Sequence, residues 1–478
     1  MKQYETIIGL EVHVELATKS KIFCSCSTTF GAKPNTHVCP VCTGMPGSLP
    51  VLNKQVVEKA LAVGMALHCQ VHRFCRFDRK NYFYPDNPQN YQISQLYLPI
   101  CYNGYVEIDT ANGMKRVRIH ELHMEEDAGK LIHDEWDECS LVDYNRSGVP
   151  LIEIVSEPDM RSAAEVIVYL ETLRHTIQYL RASDCKLQEG SMRADVNLSV
   201  RPVGSTAFGT RTEMKNLNSF KAIQRAIEAE TERQIELLEE GRTVLQETRR
   251  WDDNKESSCS MRSKEDAKDY RYFPDPDLPP VYISDAWMEA VRQAQPEFPK
   301  ERKQRLESQY GLPAYDAEIL TEEIDLAERF EETAVICGDA REAANWFMGE
   351  VLRLMKEYAR EAKELAFSSK HLAELIRMQK EGMINRQTAK KIFEIIFIED
   401  VEPEAYAREH GLLAISDNTL IEETVEKVLR ASPQAVEDYK NGKEKSFGFL
   451  VGQSMRTLGG KADPKTIREM LLKKLSEE

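Results

Sequence analysis

The sequence has no apolar run long enough to cross a membrane and no targeting pattern at its start. A membrane-spanning helix needs roughly 20 consecutive apolar residues, and no segment of the 478 residues approaches that length. The N-terminus runs directly into strand-like sequence from Tyr4 to Leu16, without the pattern of a signal or transit peptide. These absences predict a soluble protein of the cytoplasm with no membrane partner.

Cysteine spacing typical of a disulfide framework is also missing. The chain has 11 cysteines, an odd number, and most of them stand singly. The isolated ones are Cys69, Cys75, Cys101, Cys139, Cys185, Cys259 and Cys337. Scattered single thiols are typical of reduced cytosolic proteins rather than of disulfide-stabilised secreted ones.

Positive charge is scarce in most of the chain. The 63 Lys and Arg residues face 79 Asp and Glu residues, which gives a formal net charge of −16. This balance argues against indiscriminate nucleic-acid binding, because phosphate contacts need basic side chains. The deficit lies in residues 1–410, whereas residues 440–475 hold nine Lys and Arg against three Asp and Glu. If RNA binds, this basic end is the expected contact.

Glycine-rich phosphate-binding loops are absent as well. Neither G-x-x-x-x-G-K-[ST] nor G-x-G-x-x-G occurs in the sequence. Any nucleotide must therefore be held through a metal ion and side chains, and not by the backbone of such a loop.

The sequence that is present divides into a mixed part and a helical part. Up to about residue 292, strand-like segments such as Ile8–Leu16 alternate with helices such as 162–181, which opens with the capping-box spacing Ser162-Ala-Ala-Glu165. Beyond it helical periodicity dominates, and a break near Glu409-His-Gly411 precedes a last helical unit. A chain of this length is expected to form two to four domains. We predict an α+β fold with domains at 1–292, 293–410 and 411–478.

Two predicted strands carry polar faces of unusual composition. Because side chains alternate along a strand, each of them has one polar and one apolar face. The polar faces hold Glu11, His13 and Glu15 on the first strand, and Arg193, Asp195, Asn197 and Ser199 on the second. A solvated face usually shows Lys, Thr and Glu, so this composition indicates a sheet whose polar face lines a site. A half-buried strand with a merely solvated face is the alternative.

Glu153 stands in the apolar segment Leu151-Ile-Glu-Ile-Val155, where its carboxylate is expected to be buried. A buried carboxylate without a partner is costly, so a cation or a metal ion should face it. The acids of His123-Met-Glu-Glu-Asp-Ala-Gly129 would add ligands for Mg²⁺, which prefers oxygen donors and occasionally accepts histidine. A simple buried ion pair is the alternative.

Four further cysteines show the spacing of a zinc site. Cys24-Ser-Cys26 is followed, after twelve residues, by Cys39-Pro-Val-Cys42. Paired thiolates flanked by Pro and Gly predict a four-cysteine zinc knuckle at residues 24–42. Such a site has no open coordination position, so its role would be structural. Coincidental thiols or a redox pair are the alternative.

Basic and aromatic residues are interleaved between Phe77 and Gln95. The segment contains Arg79, Lys80, Tyr82, Phe83, Tyr84 and Tyr91. Stackable rings beside basic side chains suit a flexible single-stranded RNA end. A packed loop whose rings fill the core is the alternative.

Taken together, these segments resemble the B-subunit family of the bacterial-type aspartyl/glutamyl-tRNA(Asn/Gln) amidotransferases. The matching strings are Ile8–Glu15, Lys80–Asp86, Leu122–Lys130, Gly148–Asp159, Glu189–Asn197, Glu213–Phe220, Tyr270–Pro274, Val436–Lys443 and Gly448–Gln453. They extend over essentially the whole chain. The archaeal relative carries an additional inserted domain, for which this chain has no room.

The resemblance implies a fold, partners and a reaction. The fold would be a glutamine-synthetase-like cradle as catalytic domain, an all-α helical domain and a small YqeY-like tail domain that contacts tRNA. The partners would be an amidase A subunit, which releases ammonia from glutamine, and a small C subunit, in a heterotrimer. With ATP and Mg²⁺ the B subunit would phosphorylate the side-chain carboxyl of Glu-tRNA(Gln) or Asp-tRNA(Asn), and ammonia would displace the phosphate. The choice between these misacylated tRNAs depends on the synthetases of the cell.

The resemblance also implies site residues. The family's Mg²⁺ ligands fall on His13, Glu126 and Glu153, with Glu11 as a neighbouring catalytic candidate, and its zinc ligands fall on Cys24, Cys26, Cys39 and Cys42. For ATP or substrate we expect Lys80, Ser191, Arg193, Asp195, Asn197 and Lys215. For tRNA we expect Lys440, Lys443, Lys445, Arg456 and Lys461.

Two other functions fit parts of the same pattern. One is a stand-alone ligase that amidates a small molecule with a similar site, and it would need neither an amidase subunit nor aminoacyl-tRNA. The other is a non-catalytic RNA-binding scaffold built on the zinc knuckle and the basic tail. Glu153 in its apolar strand disfavours the scaffold, because a scaffold does not need a buried carboxylate.

Overall fold

The computed structural model describes residues 3–134, 139–263, 269–413, 418–459, 462 and 464–477. The chain forms two compact units, Met1–Phe298 and Pro299–Glu478. The first is built around mixed β-sheet and the second is helical, so the predicted mixed and helical halves are confirmed. No helix among the described residues is both long enough and apolar enough to cross a membrane.

The first unit is organised around a nine-stranded sheet. Its strands, in chain order, are β1 (Tyr4–Glu15), β2 (Gln70–Val71), β6 (Cys101–Thr110), β7 (Gly113–Glu126), β10 (Pro150–Ser156), β11 (Met192–Pro202), β12 (Thr212–Lys215), β13 (Glu247–Asp252) and β14 (Ser257–Ser263). Across the sheet they lie in the order β14-β13-β12-β11-β1-β10-β7-β6-β2. Neighbouring strands are antiparallel except β12 and β13, which are parallel. The first strand therefore lies in the middle of the sheet.

Helices cover one face of this sheet. They are α1 (Lys54–Ala66), α2 (Ala163–Tyr179) and α3 (Phe220–Glu239), and α4 (Asp285–Gln293) packs against α1. The apolar side chains Leu10, Val12 and Val14 of β1 belong to the same buried core as Leu170 of α2 and Ile223 of α3. Because side chains alternate along a strand, the polar residues of β1 lie on the opposite face. The helices thus leave that polar face free to carry a site.

The predicted start of α2 is confirmed at atomic detail. The Ser162 side chain accepts a hydrogen bond from the backbone N–H of Glu165 and so satisfies one of the free donors at the helix N-terminus. Glu165 in turn accepts from the backbone N–H of Arg161, at 2.7 Å. These local contacts fix the point where the chain leaves β10 and turns onto the helical face.

The first unit also contains smaller sheets. A three-stranded sheet contains β4 (Asp78–Asn81), β5 (Tyr91–Ser94) and β15 (Phe273–Pro274), and two-stranded sheets pair β3 (Phe74–Cys75) with β16 (Val281–Tyr282) and β8 (Lys130–Asp134) with β9 (Cys139–Asp143). Turns and irregular backbone between β1 and α1 hold the four zinc-spaced cysteines.

The second unit is helical along its described length. Its helices are α5 (Pro299–Tyr310), α6 (Ala314–Leu320), α7 (Ile324–Cys337), α8 (Ala340–Trp346), α9 (Leu352–Glu357), α10 (Ser369–Lys380), α11 (Arg386–Glu399), α12 (Pro403–Glu409), α13 (Asn418–Ala431), α14 (Pro433–Lys440), α15 (Glu444–Thr457) and α16 (Pro464–Glu477). A π-helical turn, Phe347–Val351, joins α8 to α9, and a 3₁₀ turn, Ala362–Glu364, precedes α10. One buried core runs from Leu306 to Ala407 and another from Ile421 to Leu475. The predicted domain boundaries at 292/293 and 410/411 remain predictions.

Candidate metal and nucleotide site

Strand register brings two of the three predicted metal ligands, His13 and Glu153, together on the polar face of the large sheet. His13 of β1 lies opposite Glu153 of β10, and Glu153 lies opposite His123 of β7. His13 Nε2 is 3.3 Å from Glu153 Oε2 and 3.6 Å from Glu125 Oε1. One ligand atom from each of His13, Glu125 and Glu153 lies within 4.8 Å of the others. One imidazole and two carboxylates form a donor set that suits a divalent cation.

Electrostatics within this group favour charged carboxylates. Burial alone would raise the pKa of Glu153, but the adjacent His123 and His13 hold that pKa well below its usual range. Burial works against protonation of His13, yet the carboxylates of Glu153 and Glu125 raise its pKa. The side chain of Glu153 is 14 % exposed, and it contacts both histidines.

Glu126 lies elsewhere. Its Oε1 accepts a hydrogen bond from the backbone N–H of Ile93 at 3.0 Å, and it lines a cavity of about 250 Å³ with Cys42, Arg79 and Tyr91. Neighbouring residues of a strand point to opposite faces, so Glu125, and not Glu126, shares the face of His123. The structure therefore groups Glu125 with His13 and Glu153, in place of the Glu126 that the resemblance implied. Burial raises the pKa of Glu126 to about 8.

A second acidic group adjoins the first. Glu11, Asp195 and Glu213 each offer an oxygen within 4.8 Å of the others. Asn197 Nδ2 donates to Glu11 Oε1 at 3.0 Å, and Lys215 Nζ lies 2.5 Å from Asp195 Oδ2 and 3.0 Å from Glu213 Oε1. Burial raises the pKa of Glu11, and the charges of Glu153 and Glu213 add to that shift. Four of the residues predicted for catalysis or nucleotide binding therefore meet here.

Arg193, which lies opposite His13 on the neighbouring strand β11, belongs to a further charged group. Its Nη2 donates to Asp127 Oδ2 at 2.9 Å, and Arg146 Nε is 3.5 Å from the same oxygen. Burial raises the pKa of Glu15 to about 8, with Asp127 contributing to the shift. Ser191 differs from the other predicted residues, because its hydroxyl donates to Asp184 and accepts from the Lys186 N–H. It orders the loop before β11.

Lys80 lies in the three-stranded sheet among aromatic rings. Its Nζ is 5.1 Å from the centre of the Tyr270 ring, which is 6.3 Å from the ring of Tyr82. Burial raises the pKa of Tyr272, and the carboxylates of Glu125 and Glu153 add to the shift.

The four zinc-spaced cysteines converge. One sulfur from each of Cys24, Cys26, Cys39 and Cys42 lies within 4.8 Å of the other three. The fully buried Lys21 places its Nζ 3.5 Å from Cys42 Sγ and donates to the carbonyl oxygens of His37 and Tyr144, at 2.8 and 3.2 Å. A hydrogen bond from Cys24 and the charge of Lys21 lower the pKa of Cys42. Four sulfurs beside a buried ammonium group fit a zinc–thiolate site.

Comparison with known proteins finds family models that match both parts of the chain. Residues 6–289 match the family model of the GatB/GatE catalytic domain, and residues 328–475 match that of the GatB domain. The B subunit of the aspartyl/glutamyl-tRNA(Asn/Gln) amidotransferase of Agathobacter rectalis is 64% identical over 475 residues, which cover 99% of this chain and 100% of that protein. The chain belongs to the GatB family. Proteins with the same name from Lachnospira eligens and Caldicellulosiruptor bescii are 62% and 54% identical, over 98% and 99% of this chain and 99% and 100% of theirs.

The residues predicted to bind tRNA lie in the last part of this GatB-family chain. Lys440 ends α14, while Lys445 and Arg456 lie on α15, and all three are exposed. Lys443 Nζ contacts Asp438 Oδ1 at 2.9 Å. Lys461 lies outside the described residues.

Sequence reasoning gave no individual role to Glu125 and His123, which it named only within the acidic segment 123–129, and it missed Glu213. Side-chain alternation could have identified Glu125, because it is two residues from His123 and the two must share a face of the strand. Glu213 stands two residues before Lys215, so the same alternation would have placed it beside that lysine. No sequence pattern identified the buried Lys21 beside the cysteines.

Proposed function

We propose that this chain is the tRNA-activating subunit of a glutamine-hydrolysing aminoacyl-tRNA amidotransferase. The γ-phosphoryl group of ATP passes to a side-chain carboxyl oxygen of Glu-tRNA(Gln) or Asp-tRNA(Asn), which leaves ADP and an acyl-phosphate. Ammonia then attacks the acyl carbon and phosphate leaves, giving Gln-tRNA(Gln) or Asn-tRNA(Asn). The observation that carries the proposal is the convergence of His13, Glu125 and Glu153 on the polar sheet face of a chain that matches GatB proteins over its whole length.

Mg²⁺ would be held by His13, Glu125 and Glu153. When bound, Mg²⁺ would neutralise negative charge on the phosphoryl group that is transferred. The protein contributes fixed donors: β1, β7 and β10 are hydrogen-bonded neighbours, so their side chains keep a set spacing. Glu11, assigned as a catalytic neighbour, would act from the adjoining acidic group.

The positive side chains around this group would bind the anionic substrates. Lys215 and Arg193 are each held by a carboxylate, Asp195 and Asp127 respectively, and therefore need little reorganisation when a phosphate or carboxylate arrives. Asn197 fixes Glu11, and Lys80 lies at the aromatic border. Ser191 would contribute indirectly, through the loop that it orders.

Zinc at Cys24, Cys26, Cys39 and Cys42 would be structural, because four thiolates leave no open position.

The sheet unit would be the glutamine-synthetase-like cradle, followed by the helical domain 293–410 and the YqeY-like tail 411–478. The tail would contact tRNA through Lys440, Lys443, Lys445, Arg456 and Lys461. An amidase A subunit, which releases ammonia from glutamine, and a small C subunit would complete a cytoplasmic heterotrimer.

The decisive experiment replaces Glu153 by Gln in the complex assembled with the amidase and small subunits. The change keeps the size of the side chain but removes its charge. Removing even an outer-shell partner of a metal ligand typically lowers metal affinity or activity about 10- to 100-fold. The rate of tRNA-dependent ATP hydrolysis should therefore fall by at least that factor. Glutaminase activity of the partner should persist. Normal amidation by the variant would refute the assignment, and amidation without aminoacyl-tRNA would favour a small-molecule ligase.

A further inference from the structure

His123 is a buried histidine on the polar sheet face that the proposed metal chemistry does not use. Its side chain is 9 % exposed and stands on β7 directly opposite Glu153 of β10. Its Nε2 is 3.1 Å from Glu153 Oε2 and 3.8 Å from Glu125 Oε2, and its Nδ1 is 3.4 Å from Glu121 Oε1. It is therefore surrounded by three carboxylates, two of which belong to the proposed metal group.

The position of His123 differs from that of His13. The ligand atoms of His13, Glu125 and Glu153 lie within 4.8 Å of one another, and His123 is not part of that group. His123 contacts Glu125 and Glu153 from β7, whereas His13 contacts the same two carboxylates from β1. One histidine can thus offer a lone pair to an ion while the other donates a hydrogen bond to a ligand carboxylate.

Glu153 needs such a support. It comes from a strand whose neighbours Ile152 and Ile154 are fully buried, and its two carboxylate oxygens could turn about the last side-chain torsion, which is a soft one. A hydrogen bond to one oxygen fixes that torsion before an ion arrives. Ligands held in this way by outer donors bind metal more tightly, because less order must be imposed on binding.

We propose that His123 is a positioning residue that donates its Nε2–H to Glu153 and holds this carboxylate, and with it Glu125, in the orientation that accepts the divalent cation. The inference rests on the proposed function of the His13–Glu125–Glu153 group. His123 does not touch the substrate in this scheme, and it acts through the two carboxylates.

The test measures cation binding directly, with Mn²⁺ as the probe and the full-length chain, by following the spin-resonance signal of free Mn²⁺ during titration. His123→Leu should raise the dissociation constant for Mn²⁺ by about 10- to 100-fold. His120→Leu is the matched control. His120 stands on the same strand and contacts a glutamate, Glu157, at 3.0 Å, but it is 62 % exposed and outside the group. This control should bind Mn²⁺ as the unmodified chain does.

A pair of amide variants separates a positioning role from a merely structural one. His123→Gln places an amide N–H near the position of Nε2, whereas His123→Asn places it near Nδ1. Recovery of most of the affinity in the Gln variant alone supports the proposal. Equal affinities of the two amide variants, or unchanged binding by His123→Leu, would overturn it. Full Mn²⁺ affinity in Glu153→Gln would instead refute the metal group itself.

Discussion

At the scale of single residues, the sequence was most informative where a polar side chain stood in an apolar context. Glu153 between Ile152 and Ile154 predicted a buried carboxylate with a positive partner, and its contacts with His13 and His123 agree. Adjacent acids were harder to separate. Glu125 and Glu126 occupy opposite faces of β7, and only Glu125 shares the face of His123. Which residues of β10 this face meets depends on strand register, which is a tertiary property.

Glu126 gives a prediction for pH dependence. Burial raises its pKa to about 8 from an ordinary value of 4.5, so between these values the folded protein binds a proton that the unfolded chain has lost. Its contribution to stability is therefore complete below about pH 4.5 and declines as the pH rises toward 8. Glu126→Gln keeps an acceptor for the Ile93 N–H but cannot ionise.

We expect Glu126→Gln to raise the free energy of unfolding by about 1 to 3 kcal/mol at pH 8, and by much less at pH 5. Thermal melts of the unmodified and variant chains from pH 5 to 8 provide the measurement. If the difference between the two melting temperatures stayed constant over this range, Glu126 would not be the group that titrates.

At the scale of elements, the sequence predicted the strands and helices that carry strong periodicity. The capped helix α2 is an example, although its end at Tyr179 precedes the predicted residue 181. The small sheets were beyond reach, because β15 pairs with β4 across almost two hundred residues of chain. Such pairing depends on the fold as a whole and leaves no local pattern.

The predicted zinc knuckle is attached by specific hydrogen bonds to the end of β9 and to the loop between β9 and β10. Asn35 donates from its backbone N–H to Asp143 Oδ1, and the Ser147 hydroxyl donates to the Cys42 carbonyl oxygen. Lys21 adds its bond to Tyr144. The knuckle therefore braces the loop that leads into β10, and metal at the four cysteines should stabilise this loop.

We predict that Cys39→Ser removes about one zinc ion per chain and lowers the melting temperature by about 5 °C or more, since structural zinc contributes directly to folding. Elemental analysis and a thermal melt provide the measurements. Cys259→Ser is the control, because Cys259 is an exposed free thiol on the edge strand β14. Mn²⁺ binding should be retained in both variants. Zinc content equal to that of the unmodified chain in Cys39→Ser would contradict the assignment.

At the scale of the whole molecule, the charge distribution could be read from the sequence. The acidic surplus lies in residues 1–410, while the last core, from Ile421 to Leu475, supports helices that carry exposed basic side chains. What could not be predicted is which of these charges are already paired. Lys474 contacts Glu422 and Glu426, and Lys443 contacts Asp438, so the net count overstates the charge offered to RNA.

The last prediction concerns the function of this tail. Recognition of folded RNA depends mainly on shape and phosphate contacts, and the body of the protein is too acidic to supply many of them. Truncation after residue 410 should leave the core from Leu306 to Ala407 intact, together with assembly and the partner's glutaminase activity. It should weaken tRNA binding and reduce the slope of log K against log salt by about 0.7 to 0.9 per lost phosphate contact.

The triple variant Lys440→Ala, Lys445→Ala and Arg456→Ala keeps the tail but removes three exposed charges, and it should reproduce a large part of that change. Filter binding or fluorescence titration between 50 and 200 mM salt, about the range over which phosphate contacts dominate, provides the measurement. If both variants bound tRNA with the affinity and salt dependence of the unmodified complex, the tail would have no part in holding the substrate.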